Sequence, residues 1–158
     1  MTDQQAGGSG EIQQQIASTL DTIADLYDRL DALSRQQRVL IADEKLDDLL
    51  ALLKKRDNLI DQLESVAPQY QQAIDLLTNL ASTFPDQSRT ILTQQIGAIE
   101  TVAAQIAKRD QQASRMLDQR KSELANEMSS IGHKSAAVTA YAGGKPQTPS
   151  PRFQDREG

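Results

Sequence analysis

Apolar residues recur at steps of three and four from Ile12 through Ile16, Leu20, Ile23, Leu26, Leu30 and Leu33 to Leu40. At 3.6 residues per turn this spacing places them along one side of a helix, with Gln37 interrupting the seam. Asp43, Glu44 and Asp47 then gather before a second apolar series. Carboxylates favour the positive end of a helix dipole and Asp43 can cap a new helix, so the pattern predicts a turn at residues 42–44. No glycine or proline stands there, and one continuous helix is the alternative.

The second series runs Leu46, Leu49, Leu50, Leu53, Leu59 or Ile60, Leu63 and Val66, and resumes after Pro68 with Ala73, Leu76 or Leu77, and Leu80. Pro68 lacks a backbone donor and crowds the preceding turn, which predicts a kink there in preference to a restarted helix. Residues 83–88, Thr-Phe-Pro-Asp-Gln-Ser, form the clearest turn: Pro85 disfavours helix at Phe84, and Asp86 or Ser88 can cap the next helix. That third helix carries Ile91 or Leu92, Ile96, Ile99, Val102 or Ala103, Ile106, Ala113, Leu117, Leu124, Met128 and Ile131. Its roughly 45 residues would span about 65 Å. Gly97 reads as a close helix contact, and Gly132 followed by His133 and Lys134 reads as a helix stop.

Both ends differ from this body. Residues 1–10, closing in Gly7-Gly8-Ser9-Gly10, are too polar to offset the entropy of ordering and read as a flexible arm. Residues 135–158 hold a weakly apolar stretch and then Gly143-Gly144 and three prolines, which read as a flexible tail. The predicted fold is therefore all-α, an elongated antiparallel bundle of three long, coiled-coil-like helices over residues 11–134 between two disordered tails. A monomer is the expected state.

Composition narrows what such a bundle can do. The aromatics number only three tyrosines and two phenylalanines, and the apolar content is Leu, Ile and Ala in helices also rich in Gln, which suits narrow seams with most of each helix in water. The net charge of −5 comes from interspersed acids and bases, leaving no basic stripe for nucleic acid. No apolar run approaches the ~20 residues of a membrane span, and no secretory leader pattern begins the chain, so the expected location is cytoplasmic. With one histidine and no cysteine, neither a Ser-His-acid set, a Cys-His pair nor a thiolate metal site can be assembled. Asp47 and Asp48 fall on different helix faces, and no Glu-x-x-His motif is present. No cofactor, metal or catalysis is expected.

The region from Leu26 to Leu63 carries a more specific pattern: Leu30 and Leu33, polar Gln36-Gln37, Leu40, acidic Asp43-Glu44, then Leu46, Leu49-Leu50, Leu53, basic Lys55 and Arg56, Leu59-Ile60 and Leu63. It resembles the FlgN-type flagellar export chaperones, with Arg56 where that family commonly has lysine. The long third helix and a late Tyr141 before a glycine-containing tail are similar to that family's C-terminal part. The resemblance implies a chaperone that binds the C-terminal amphipathic helical region of hook-filament junction subunits, the hook-associated proteins, prevents premature assembly and hands them to the export machinery. A structural or adaptor coiled coil, or another helical secretion chaperone, is the alternative. Helix-in-groove recognition requires an apolar stripe, and Leu117, Leu124, Met128 and Ile131 supply one, with flexible Met116 beside it. The same stripe could equally be core. Tyr141 and Phe153, isolated aromatics in a polar segment, are further candidate anchors.

Overall fold

A computed structural model describes residues 2–143, with side chains described at residues 8–134 and at Thr139. Three long helices account for nearly all of it: α1 (Thr2–Ala42), α2 (Leu46–Leu80) and α3 (Asp86–Gly143), with a single 3-10 turn, Ala81–Thr83, before α3. No strand occurs among the described residues. The chain divides into two compact units, Met1–Met116 and Leu117–Gly158.

The first unit is a three-helix bundle whose core is stacked in three clusters, each with residues from every long helix. Ile16, Leu20 and Ile23 of α1 meet Ala73 and Leu77 of α2 and Leu92 and Ile99 of α3, with Phe84 of the connecting loop closing the end. Leu26 and Leu30 meet Leu59 and Ile106. Ile41 meets Leu49 and Ala113. Residue numbers rise along α1 and α3 while they fall along α2, so α2 is antiparallel to both neighbours and α1 and α3 run parallel. Seams along the helices are what the three-four spacing demands, and Leu20, at 0% exposure, marks their deepest point.

Between the second and third clusters the apolar seam gives way to a polar layer. Gln37, the residue that interrupts the α1 pattern, is buried and accepts a hydrogen bond from Arg56 Nη1 of α2 at 2.8 Å. The same guanidinium clasps Asp110 of α3 through both carboxylate oxygens, with Nη1 donating to Oδ1 at 2.6 Å. Nearby, Arg109 of α3 pairs with Asp31 and donates to the buried Ser34 Oγ of α1 at 3.3 Å. Ser34 Oγ in turn donates to the Asp31 carbonyl at 2.8 Å, and Arg35 also pairs with Asp31, at 3.1 Å. All three helices are thereby joined by directional, charge-assisted bonds at one level.

The first hinge is a Schellman turn. Lys45 N–H donates to Leu40 O at 3.0 Å and Glu44 N–H to Ile41 O at 3.2 Å, closing the carbonyl end of α1. Glu44 has φ 58°, the left-handed conformation that usually takes glycine. Asp43 does not cap α2: Lys45 stands at that position without a side-chain cap, and Asp47 and Asp48 supply the first-turn carboxylates. Glu44→Gly is expected to stabilise the bundle by about 1 kcal/mol, because a side chain at left-handed φ costs roughly that much. Chemical denaturation is the check, and an unchanged midpoint would contradict it.

The second hinge lies where Pro85 places it: Phe84 is extended and buried, and α3 starts at Asp86. Asp86 and Ser88 lie inside the helix instead of capping it, and Asp86 pairs with Arg89 at 2.6 Å. Pro68 is accommodated within one unbroken α2. With its amide turned to satisfy both ends, Gln69 donates to the Ser65 and Val66 carbonyls at 3.3 and 3.1 Å, on the turn whose ladder the proline disturbs.

Several boundaries move outward from the predicted ones. α1 reaches back to Thr2 instead of beginning at Glu11, and α3 passes through Gly132 to Gly143 instead of stopping there. Extending an existing helix needs no new nucleus, so glycines that would prevent an isolated helix are carried along, and Ala136, Ala137 and Ala140 favour the continuation. Residues 144–158, the remainder of the predicted tail, lie outside the described residues. Within the seams, Leu46 and Leu50 are exposed while Leu49 and Leu52 are buried, and Leu92 is buried in place of Ile91. Gly97 is not a close contact, since nothing lies within 4 Å of where its Cβ would stand. Gly97→Ala should therefore stabilise α3 by about 1 kcal/mol, read as a raised denaturation midpoint.

Candidate docking surface

Past Met116, α3 keeps the spacing of an apolar seam. Leu117, Leu124, Met128 and Ile131 recur on one face, and in the second unit they are 42%, 44%, 72% and 65% exposed. Every residue of the three core clusters among those described falls at or before Met116. Side chains that could have been core thus stand as an apolar stripe facing solvent. A single helix holds them at the i, i+3, i+4 positions from which an amphipathic partner helix is read.

The remaining candidates fall elsewhere. Met116 is half-buried against the cluster of Ile41, Leu49 and Ala113, so its thioether packs in the bundle. Tyr141 lies on the α3 backbone, with its side chain outside those described, and Phe153 lies outside the described residues altogether. His133 is inside the helix instead of beyond a stop.

Charge along this face is partly consumed by the helix itself. Arg120 pairs with Glu123 at 3.1 Å and reaches Glu127 at 3.8 Å. Lys121, on the stripe between Leu117 and Leu124, is exposed and makes no ion pair or hydrogen bond among the described residues. No metal-binding group of three or more His, Cys, Asp or Glu occurs among the described residues. Tyr70 of the bundle has its hydroxyl pushed up from the ordinary value, first by burial and then by the nearby Glu100 and Tyr27, and stays a neutral phenol. A shallow groove of about 650 Å³ at the Phe84 end is lined mainly by Gly8, Ile12, Leu80, Phe84 and Pro85, and its polar side chains bond locally, Gln13 to Ser9 and Thr83 to the Leu80 carbonyl. No described helix is long and apolar enough to cross a membrane.

The family model of the flagellar protein FliT matches residues 24–143, which take in the second half of α1, all of α2 and all of α3. The chain belongs to the FliT family. No curated protein and no solved structure matches it. FliT proteins form a flagellar export chaperone family, so the chaperone class that the resemblance implied holds, while its FlgN-type assignment pointed to a neighbouring family. Leucine pairs around an acidic turn are what any helical hairpin of this kind requires, and they do not separate the two families. The family's members act in type III export, on filament-cap and hook-associated proteins.

Sequence reasoning placed the stripe but missed the polar layer. The available signal was Gln37 on the α1 seam, together with Asp110 standing between Ile106 and Ala113 on α3. A polar residue at a core position requires a partner, and Arg56 is that partner.

Proposed function

We infer that this chain holds the C-terminal amphipathic helix of a hook-associated flagellar subunit against Leu117, Leu124, Met128 and Ile131, keeps that subunit from assembling in the cytoplasm, and passes it to the export machinery. The exposure of these four side chains on one helical face carries the reading. The family supplies the kind of client, and apolar helix-in-groove contact supplies the mechanism. The protein works as a monomer that binds and releases, without catalysis and without a cofactor.

Isothermal titration of the purified chain with the C-terminal segment of a hook-associated subunit tests this. Saturable binding is expected, together with suppression of the subunit's self-association. Replacing both Leu124 and Ile131 with Asp should weaken binding roughly 100-fold or more, because each tenfold needs 1.4 kcal/mol and a charge buried in an apolar contact costs more. Helix content should stay near the wild-type value, since both side chains are exposed in the free protein. Absence of saturable binding to hook-associated and filament-cap subunits alike would sink the reading.

A further inference from the structure

Leu117, Lys121, Leu124, Met128 and Ile131 succeed one another at steps of four, three, four and three, the repeat of a coiled-coil seam. Four of the five are apolar and exposed, and the fifth is a cation. Lys121 stands inside the stripe, with Leu117 one turn before it and Leu124 one turn after. Arg120, its neighbour in sequence, is occupied along its own helix by Glu123 and Glu127. Asp118 lies within reach one turn back, yet no ion pair joins it to Lys121.

A cation in an apolar seam is tolerable while the seam faces water and costly once a partner covers it, unless the partner brings a carboxylate. We propose that Lys121 is the specificity-determining residue of the docking stripe, and that the stripe takes an amphipathic helix carrying Asp or Glu at the layer facing Lys121. The lysine stem can pack along the leucines while its ammonium reaches that carboxylate at the edge of the layer. Purely apolar helices would bury the cation unpaired and be rejected, which is discrimination by an unfavourable alternative as well as by a favourable contact.

The same chemistry disfavours a second copy of this chain as the occupant. A parallel, in-register pair sets Lys121 against Lys121. An antiparallel pair sets it against Leu117, Leu124 or Ile131, again with no carboxylate in the layer. The proposal rests on the stripe being the client-docking face, and the experiment separates the two.

The full-length chain and its Lys121→Glu and Lys121→Leu variants are titrated with three synthetic peptides of about four heptads, identical except for Glu, Lys or Leu at one central seam position. The wild type should bind the Glu peptide about 10-fold or more tighter than the Lys peptide, Lys121→Glu should reverse that order, and Lys121→Leu should favour the Leu peptide. Lys121 is exposed, so all three proteins should show the same helical signal. Equal wild-type affinity for the three peptides, abolished by Leu124→Asp, overturns the role of Lys121 and leaves the docking face standing. Binding of a hook-associated subunit with none of the peptides bound overturns the seam chemistry alone. Failure of both peptides and subunits to bind overturns the docking face with it. A wild-type dimer that Leu124→Asp dissociates makes a second copy the occupant and also overturns the proposal.

Discussion

Leu20→Ala is expected to lower the unfolding free energy by about 3–5 kcal/mol, the range for truncating a leucine in a site that cannot collapse. Leu20 is fully buried, and Ile16 and Ile23 beside it are 1% and 2% exposed. The first core cluster draws on all three helices and on Phe84, so the lost contacts belong to every element that meets there. Leu124→Ala, the same chemical change on an exposed face, should alter stability by less than about 0.5 kcal/mol. Urea denaturation of the two variants side by side is the measurement. Equal losses would show that Leu124 is core and would remove the docking stripe.

Removing one side of the polar layer should be the next largest effect. Arg56→Met strips the partner from Asp110 and from the buried Gln37 at once. A fully buried pair broken in this way costs about 3–5 kcal/mol, but Asp110 is 37% exposed and solvent screens what remains, so about 2–3 kcal/mol is expected. Adding Asp110→Leu to Arg56→Met should recover part of the loss, because the stranded carboxylate goes with it. A double-mutant cycle measures the coupling between Arg56 and Asp110 directly. Strict additivity would mean that the clasp contributes nothing beyond its separate side chains.

The three helices, their hinges and most seam positions were legible because each rests on a local cause: period, proline or clustered carboxylates. Pro85 alone fixes the second hinge, since it denies Phe84 the helical region. Helix ends were less legible. Gly132 has the look of a stop, yet left-handed φ is imposed by the path of the chain and not by the residue, and the chain here continues straight on. Glu44 shows the converse, a left-handed turn made without glycine because α1 must hand over to α2 at that point. The exposed stripe was visible as spacing, but whether Leu124 meets another helix or water depends on which residues lie across from it, and spacing is silent on that. The polar layer was hidden for the same reason: Arg56 and Asp110 are ordinary surface residues until a fold brings them together.

The parallel course of α1 and α3 has a kinetic side. Asp21 meets Gln95 and Asp31 meets Arg109 across 74 and 78 residues of chain, whereas Gln37 and Arg56 are only 19 apart. Contacts between α1 and α2 therefore close early, and those with α3 must wait for distant chain. At synthesis rates of 5–20 residues per second, the part of α3 that walls this core, Asp86 to Met116, takes about 2–6 s to appear, while a helix forms in about a microsecond. For those seconds the nascent hairpin carries the leucine faces of α1 and α2 without their third wall. On the ribosome, this chain passes through an interval in which its own apolar faces lack the helix that later covers them.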